Sequence, residues 1–307
     1  MKQLLLLGGT GFVGRSVCET LARTDAALRI VVPSRQPERA KRLLPLPGVR
    51  LVRADVHDER ELGVLLDGCD AVVNLVAILH GSEAAFEQAH VELPRKLANA
   101  CHARHATRLV HVSALGADPS APSRYLRSKA RGEQVLRDAA LELSVLRPSV
   151  IFGADDRFLN LFARLQALFP VLPLAGAKAR FQPVWVGDVA AAIVRCLPLG
   201  RRGDRDRSTI GMTIECAGPQ VFTLDELVRL AGRWSGHRRP VIALPDVLAR
   251  LQALAMELMP GEPLMSRDNL DSMRVDNVAS GTLPDLAALG IAAHSIESVA
   301  PGYLRER

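Results

Sequence analysis

The chain has 307 residues, a formal net charge of +6, 48% hydrophobic and 23% charged residues. That is an ordinary globular composition, long enough for one large α/β domain with an appended region. The cations are scattered without a long Lys/Arg run, so nucleic acid is not an expected partner, and no apolar run approaches the roughly 20 residues of a membrane-spanning helix.

From the N-terminus, short apolar runs alternate with helical patterns. Strands are expected at Gln3–Leu7, 28–33, Val49–Arg53, 71–76, 108–113 and 143–149. Helices are expected at 13–24, 59–66, 84–104 and 126–139. Several strands are Val/Leu-rich without polar alternation, as strands buried on both faces of a parallel sheet are. The fold class implied is α/β: a doubly wound, parallel Rossmann-type sheet. Beyond it, a helix is expected at 156–169, a short strand at 181–186, a helix at 187–197, a strand at Thr213–Cys216 and a helix at Leu224–Trp234 capped by Thr223. The expected division is a nucleotide-binding domain over 1–152, completed by segments near 183–217. A smaller, discontinuous C-terminal region for substrate or partner would comprise 153–182 and 218–307.

The glycine turn Gly8-Gly9-Thr10-Gly11-Phe12-Val13-Gly14 follows the first strand and opens a helix. Gly8 permits the tight turn, Gly11 lets backbone approach a pyrophosphate, and Gly14 lets helix pack on sheet. The amides of Thr10, Gly11, Phe12 and Val13 would then hold the phosphates at the positive end of the helix. A dinucleotide is the ligand this context requires.

An NAD site places Asp or Glu about 20 residues beyond the glycines, to accept from the ribose 2′-hydroxyl. Here Ser34 and Arg35 stand at that place, and the stretch 30–36 holds no acid. A guanidinium suits a 2′-phosphate, so NADP(H) is the expected cofactor, with NAD(H) second. Asp55 and Val56 after the third strand are candidates for the adenine. Asn74, Val76 and Ala77 at the end of the fourth would line the opposite side.

Tyr125 and Lys129 form a YxxxK pair, which one helical face brings together. A neighbouring ammonium is expected to lower the phenol's pKa from about 10, so that it exchanges a proton with a substrate hydroxyl or carbonyl. Lys129 could also hold the nicotinamide ribose.

These motifs resemble the short-chain dehydrogenase/reductase superfamily, in its extended and atypical branches. Phrases similar to the NADPH-binding accessory subunit of respiratory complex I and its bacterial relatives are Asn74-Leu75-Val76-Ala77-Ile78-Leu79, Tyr125-Leu126-Arg127-Ser128-Lys129-Ala130, the stretch 151–160 and the stretch 182–189. The resemblance implies that Pro148, Val150 and Ile151 face the nicotinamide and that Ser113 holds a substrate oxygen beside Tyr125. Ala114 and Leu115, where extended enzymes tend to place that hydroxyl, have none. It implies either an oxidoreductase, epimerase or dehydratase acting on a small molecule of unknown identity, or a non-catalytic NADPH-binding accessory or assembly protein.

The five cysteines, Cys18, Cys69, Cys101, Cys196 and Cys216, are dispersed and never form CxxC. They point to a reducing, cytoplasmic compartment. Cys101 and His105 stand four apart but lack further ligands, and no metal is expected. The charge-alternating run 201–207 reads as a solvated loop. An apolar helix over 248–259 reads as core packing. Its alternative, a protein partner or a membrane surface, would place the chain peripherally at the inner membrane.

Overall fold

The computed structural model describes residues 1–199, 208–259, 261 and 263–305. The run 201–207 lies outside the described residues.

Strand β1 (Gln3–Leu7) carries four consecutive leucines. Because side chains alternate across a strand, Leu4 and Leu6 enter one core and Leu5 and Leu7 the other. The first core is covered by α1 (Phe12–Thr24), through Val17, Cys18 and Leu21. The second is covered by α2 (Glu59–Leu65) and α4 (Leu93–Ala103), the latter through Leu97 and Cys101. An unalternating apolar run is thus the mark of a strand with helices on both sides. Burying each such leucine contributes roughly 1.5–3 kcal/mol.

Around β1 the sheet continues with β2 (Arg29–Ser34), β3 (Val49–Arg53), β4 (Ala71–Asn74), β5 (Arg108–Val112), β6 (Glu142–Pro148) and β11 (Thr213–Cys216). The order is β11-β6-β5-β4-β1-β2-β3, and every pairing is parallel. Chain direction therefore reverses its march between β1 and β4, and the crevice at that switch point is where doubly wound sheets take ligands. The helix expected at 84–104 is three pieces: α3 (Glu83–Glu87), a π turn (Gln88–Glu92) and α4. His105, past the end of α4, has φ 56°, so Cys101 and His105 do not share a helical face. Helix α5 (Arg124–Asp138) lies between β5 and β6 in the chain.

The strand expected at 181–186 is two: β9 (Arg180–Phe181) and β10 (Val184–Trp185), separated at Pro183. Strand β10 pairs with β7 (Ile151–Phe152), and α7 (Val186–Arg195) returns to the first core. A third core joins Phe152 and β8 (Leu172–Leu174) to α6 (Leu159–Leu168), α8 (Leu224–Trp234) and α11 (Ile296–Leu304). Thr223 caps α8 as expected, in a reciprocal capping box with Glu226.

Helix α9 (Asp246–Glu257) overturns the core-packing expectation. It buries only Ala249 and Ala253, while Val247 is 78% and Leu251 62% exposed, and Leu258 and Met259 beyond it are also exposed. Small side chains face inward here because α9 lies close on α10 (Arg267–Ser272), tied by Arg250–Asp271 and Arg267–Glu257 ion pairs of 2.9 Å each. Among the described residues no helix is long and apolar enough to cross a membrane.

Candidate functional site

The glycine turn stands at the carboxyl end of β1, against Leu75 at the end of β4. Gly8 has φ +76°, a conformation costly for any side chain. A Cβ on Gly14 would stand 2.4 Å from Gly9 Cα and 2.5 Å from Gly8 O, so helix and turn touch backbone to backbone. Gly11, the N-cap of α1, has no side-chain cap, and no acid occupies the first turn. The first amides of a helix have no intrahelical partner, so the Phe12 and Val13 N–H groups are free to meet a phosphate. Phe12 packs on Gly153, where a Cβ would lie 3.0 Å from the ring.

At the end of β2, Ser34 Oγ accepts from Gln36 N at 3.1 Å. The Arg35 and Arg39 guanidinium groups have no ion-pair partner among the described residues, whereas the nearby acid, Glu38, is paired with Arg53 at 2.9 Å. Two unneutralised guanidinium groups at this place fit a 2′-phosphate. After β3, Asp55 accepts from His57 N at 3.0 Å, and Val56 is partly exposed. Asn74 is fully buried. Its Oδ1 accepts from Val76 N at 3.1 Å and its amide lies 3.3 Å from His111 Nδ1, so its side chain holds the turn; Val76 packs in part against the second core and Ala77 is exposed.

At the other end, Ser123 caps α5 and accepts from Leu126 N. Lys129 is buried and donates from Nζ to Val112 O at 2.8 Å. Burial pushes its pKa down to about 8, against the opposing charge of Glu133. Tyr125 departs from expectation. Desolvation on burial pushes its phenol up to about 12 rather than down. At neutral pH the phenol is protonated. Ser113, one residue past β5, has a buried Oγ with no hydrogen-bond partner among the described residues. Such an atom is costly unless something meets it.

Pro148 ends β6 and its carbonyl accepts from Leu115 N at 3.0 Å. Val150 O accepts from Val184 N at 3.0 Å, and Ile151 enters β7. Arg147, beside them, forks onto the buried Glu133 at 2.9 and 2.7 Å and so ties β6 to α5.

Several contributors carry no motif. His90 sits in the π turn, with its ring edge-on to Tyr125 at 5.6 Å. Its Nε2 lies 3.1 Å from the Ile78 amide, which can only donate, so Nδ1 carries the proton and donates to Ser128 Oγ at 2.8 Å; Ser128 in turn donates to Tyr125 O. Burial, with Lys129 beside it, pushes His90 down to about 3 and keeps it neutral. Gly132 permits this contact: a Cβ there would stand 1.9 Å from His90 O. Asp268 and Asn277, described further below, are equally silent in the sequence. Asp156 and Asp188, in the stretches 151–160 and 182–189, prove to be structural anchors. Asp156 accepts from Gly153 N and Tyr303 Oη, and Asp188 from the backbone and ring of His294. Among the described residues no three His, Cys, Asp or Glu side chains gather as a metal site.

A parallel sheet with a glycine turn at its switch point and an unneutralised helix N-terminus beside it defines a Rossmann-type dinucleotide-binding protein. Comparison with known proteins agrees. A family model described as NAD(P)H-binding matches residues 8–162. The chain is 30% identical over 314 residues to the mitochondrial NADH dehydrogenase (ubiquinone) 1 alpha subcomplex subunit 9 of Arabidopsis thaliana, covering 97% of this chain and 76% of that protein. It is 28% identical over 243 residues to a ceramide reductase of Caulobacter vibrioides, covering 78% of this chain and 73% of that protein. Its backbone matches an NADPH-dependent quinone oxidoreductase of Escherichia coli, solved with NADPH, at a TM-score of 0.75, 21% identity and 98% and 99% coverage of the two chains. The chain belongs to the NAD(P)H-binding family within the extended short-chain dehydrogenases/reductases, close to the complex I subunit.

Proposed function

We propose that the chain is an NADP(H)-dependent oxidoreductase acting on a carbonyl or hydroxyl group, with Tyr125 as proton donor. The observation that carries this reading is the buried, partnerless Ser113 Oγ at the nicotinamide end, in the region of the Tyr125–Lys129 pair. A substrate carbonyl oxygen would satisfy it. NADPH, when bound, supplies the hydride to the carbonyl carbon. Tyr125 Oη would give its proton to the carbonyl oxygen as that bond becomes a hydroxyl; burial keeps the phenol protonated but weakly acidic, so the transfer depends on the Lys129 charge and on a proton returned from solvent. Lys129, fixed on Val112 O, keeps a positive charge beside the site. On this reading the turn 8–14 takes the pyrophosphate, Ser34 and Arg35 the 2′-phosphate, Asp55 and Val56 the adenine, and Val76, Ala77, Pro148, Val150 and Ile151 the nicotinamide side. Residues 1–152, with segments near 183–217, bind the nucleotide, and 153–182 with 218–307 receive substrate or partner.

The deciding experiment couples binding to turnover. NADPH should bind more tightly than NADH by calorimetry, and Arg35→Asp should abolish that preference. Tighter NADH binding by the unaltered protein would sink the charge argument. With carbonyl and quinone substrates, Tyr125→Phe should lower turnover by about 10²–10⁴ and leave NADPH affinity within about twofold.

A second reading is favoured by the exposed apolar face of α9. There the chain is a non-catalytic, NADPH-binding accessory or assembly protein in the cytoplasm, docking by that face on a respiratory-complex protein or the inner-membrane surface. Tyr125→Phe would then have no effect in cells where loss of the whole protein is visible.

A further inference from the structure

Helix α5 needs partners for its first amides. Ser123 Oγ takes Leu126 N at 3.2 Å, and Arg127 N turns back to Ser123 O at 3.2 Å. The two amides left, Arg124 N and Tyr125 N, are both taken by one carboxylate, Asp268, at 2.7 and 3.0 Å. Asp268 comes from α10, is 5% exposed, and also receives Arg124 Nε at 3.4 Å. A buried carboxylate at a helix N-terminus makes charge-assisted bonds and complements the helix dipole. It therefore fixes the rotation of the turn that carries Tyr125.

Nine residues on, Asn277 does the same for the segment after β6. Its Oδ1 accepts from Ser149 Oγ at 2.6 Å and from Val150 N at 2.8 Å. Its own backbone is pinned on both sides, N–H to Arg180 O at 2.9 Å and carbonyl to Gln182 N at 3.0 Å. Between the two, Val275 packs over Gly116 at the start of the loop that leads to Tyr125, and Asp276 pairs with Arg180 at 3.2 Å. Beyond them, Ser280 N donates to the buried Glu215 at 2.7 Å. Residues 266–280 thus form a strap across the nicotinamide end, reaching α5, the loop before it, the segment after β6 and β11.

We infer that Asp268 and Asn277 are positioning residues: the strap sets the nicotinamide half of the cleft, through Tyr125 and Val150, and leaves the adenosine half to the glycine turn and Arg35. The inference rests on the nucleotide reading above. It requires that loss of either strap residue weaken the nicotinamide contacts selectively, because neither residue touches the turn 8–14 or the end of β2.

The test titrates two ligands, NADPH and its adenosine-side fragment 2′-phospho-ADP-ribose, against the intact protein and against Asn277→Ala, Asn277→Asp and Asp268→Ala, with thermal melting alongside. Asn277→Ala and Asp268→Ala should bind NADPH about tenfold more weakly, the equivalent of one buried hydrogen bond, and bind the fragment within about twofold of the intact protein. Asn277→Asp, which keeps the oxygen that accepts from both Val150 N and Ser149 Oγ, should restore NADPH binding. If Asp268→Ala melts below the assay temperature, Asp268→Asn, which keeps one acceptor, is read in its place. Equal weakening of both ligands, unchanged NADPH affinity, or an Asn277→Asp variant no better than Asn277→Ala would each overturn the inference while leaving the nucleotide reading intact. An unaltered protein that binds neither ligand would overturn that reading and the inference with it.

Discussion

At the proposed pyrophosphate end, seven consecutive residues would make the site, from Gly8 to Gly14. At the proposed nicotinamide end, the amides of Val150 and Tyr125 donate to side chains 127 and 143 residues further along the chain. The first is a local device in which missing side chains are the functional feature. The second is a tertiary device in which ordinary polar side chains from a late segment satisfy amides of an early one. Damage should therefore be absolute at one end and graded at the other.

The largest effect is expected from Gly14→Val. Its side chain would collide with the backbone of Gly8 and Gly9, which cannot rotate away. Overpacking of this kind costs about 1–3 kcal/mol, and in a phosphate loop it should weaken dinucleotide binding at least about 100-fold by calorimetry. A folded variant that binds normally would show that the phosphates lie elsewhere.

Lys129 is the next lever, through pH. In the fold it loses its proton near pH 8, and in the unfolded chain near 10.5. Between those values the unfolded chain holds more protons, so stability rises with pH; below about 8 both states are charged and the burial penalty is constant. Tyr125 acts in the opposite sense. Its unfolded phenol ionises near 10 and the folded one near 12, so stability falls across that window. Buried thiols such as Cys18 and Cys101, held up at about 12 against 9.0 in the unfolded chain, lower stability over the same window. Chemical denaturation should therefore show the Lys129 effect as a difference: from pH 8 to 10 the unaltered protein should gain up to about 3 kcal/mol relative to Lys129→Met. Parallel pH profiles for the two proteins would mean that the ammonium is better solvated than its bond to Val112 O implies.

The smallest effect on nucleotide binding is expected from Gly132→Ala, which presses a methyl on the His90 carbonyl. Like Gly14 it meets backbone, so the helix and the π turn must shift apart to admit it, but it lies away from the turn 8–14. A cost of about 3 kcal/mol, read as a melting shift of about 6–12 °C, in a variant that still folds and binds, would bear out the graded nature of this end. Complete loss of folding would put the two ends on a par.

The same contrast explains what could be read from residue order alone. Parallel strands announced themselves in the Leu and Val runs of β1 and β4, and the cofactor turn in three spaced glycines. Arg35 stands out because an absence, the missing acid, carries meaning against a fixed spacing; its proposed role waits on the binding comparison. Asp268 was not, since nothing in Ser266-Arg267-Asp268-Asn269 distinguishes an inward carboxylate from an ordinary first-turn acid of a short helix. His90 was hidden for a related reason: periodicity could not reveal the π turn that puts its ring beside Tyr125. Helix α9 misled because an apolar, Met-bearing helix is ordinarily a buried one, and only packing shows that alanines took the inner face. The Tyr125–Lys129 pair was found, but its electrostatics ran the other way, since burial depends on the whole chain and a motif does not.

The lateness of the strap has a consequence for synthesis. Chains emerge at roughly 5–20 residues per second, so the 127 residues between Val150 and Asn277 take about 6–25 s to follow. Over that interval a growing chain already owns its glycine turn and Arg35 but not the acceptors for Tyr125 N and Val150 N. On the proposed reading, the adenosine half of a dinucleotide would have somewhere to rest well before the nicotinamide half does. A nascent chain stalled before residue 266 would then be an early grip on the nucleotide without its working end, and residues 266–280 would convert the one into the other.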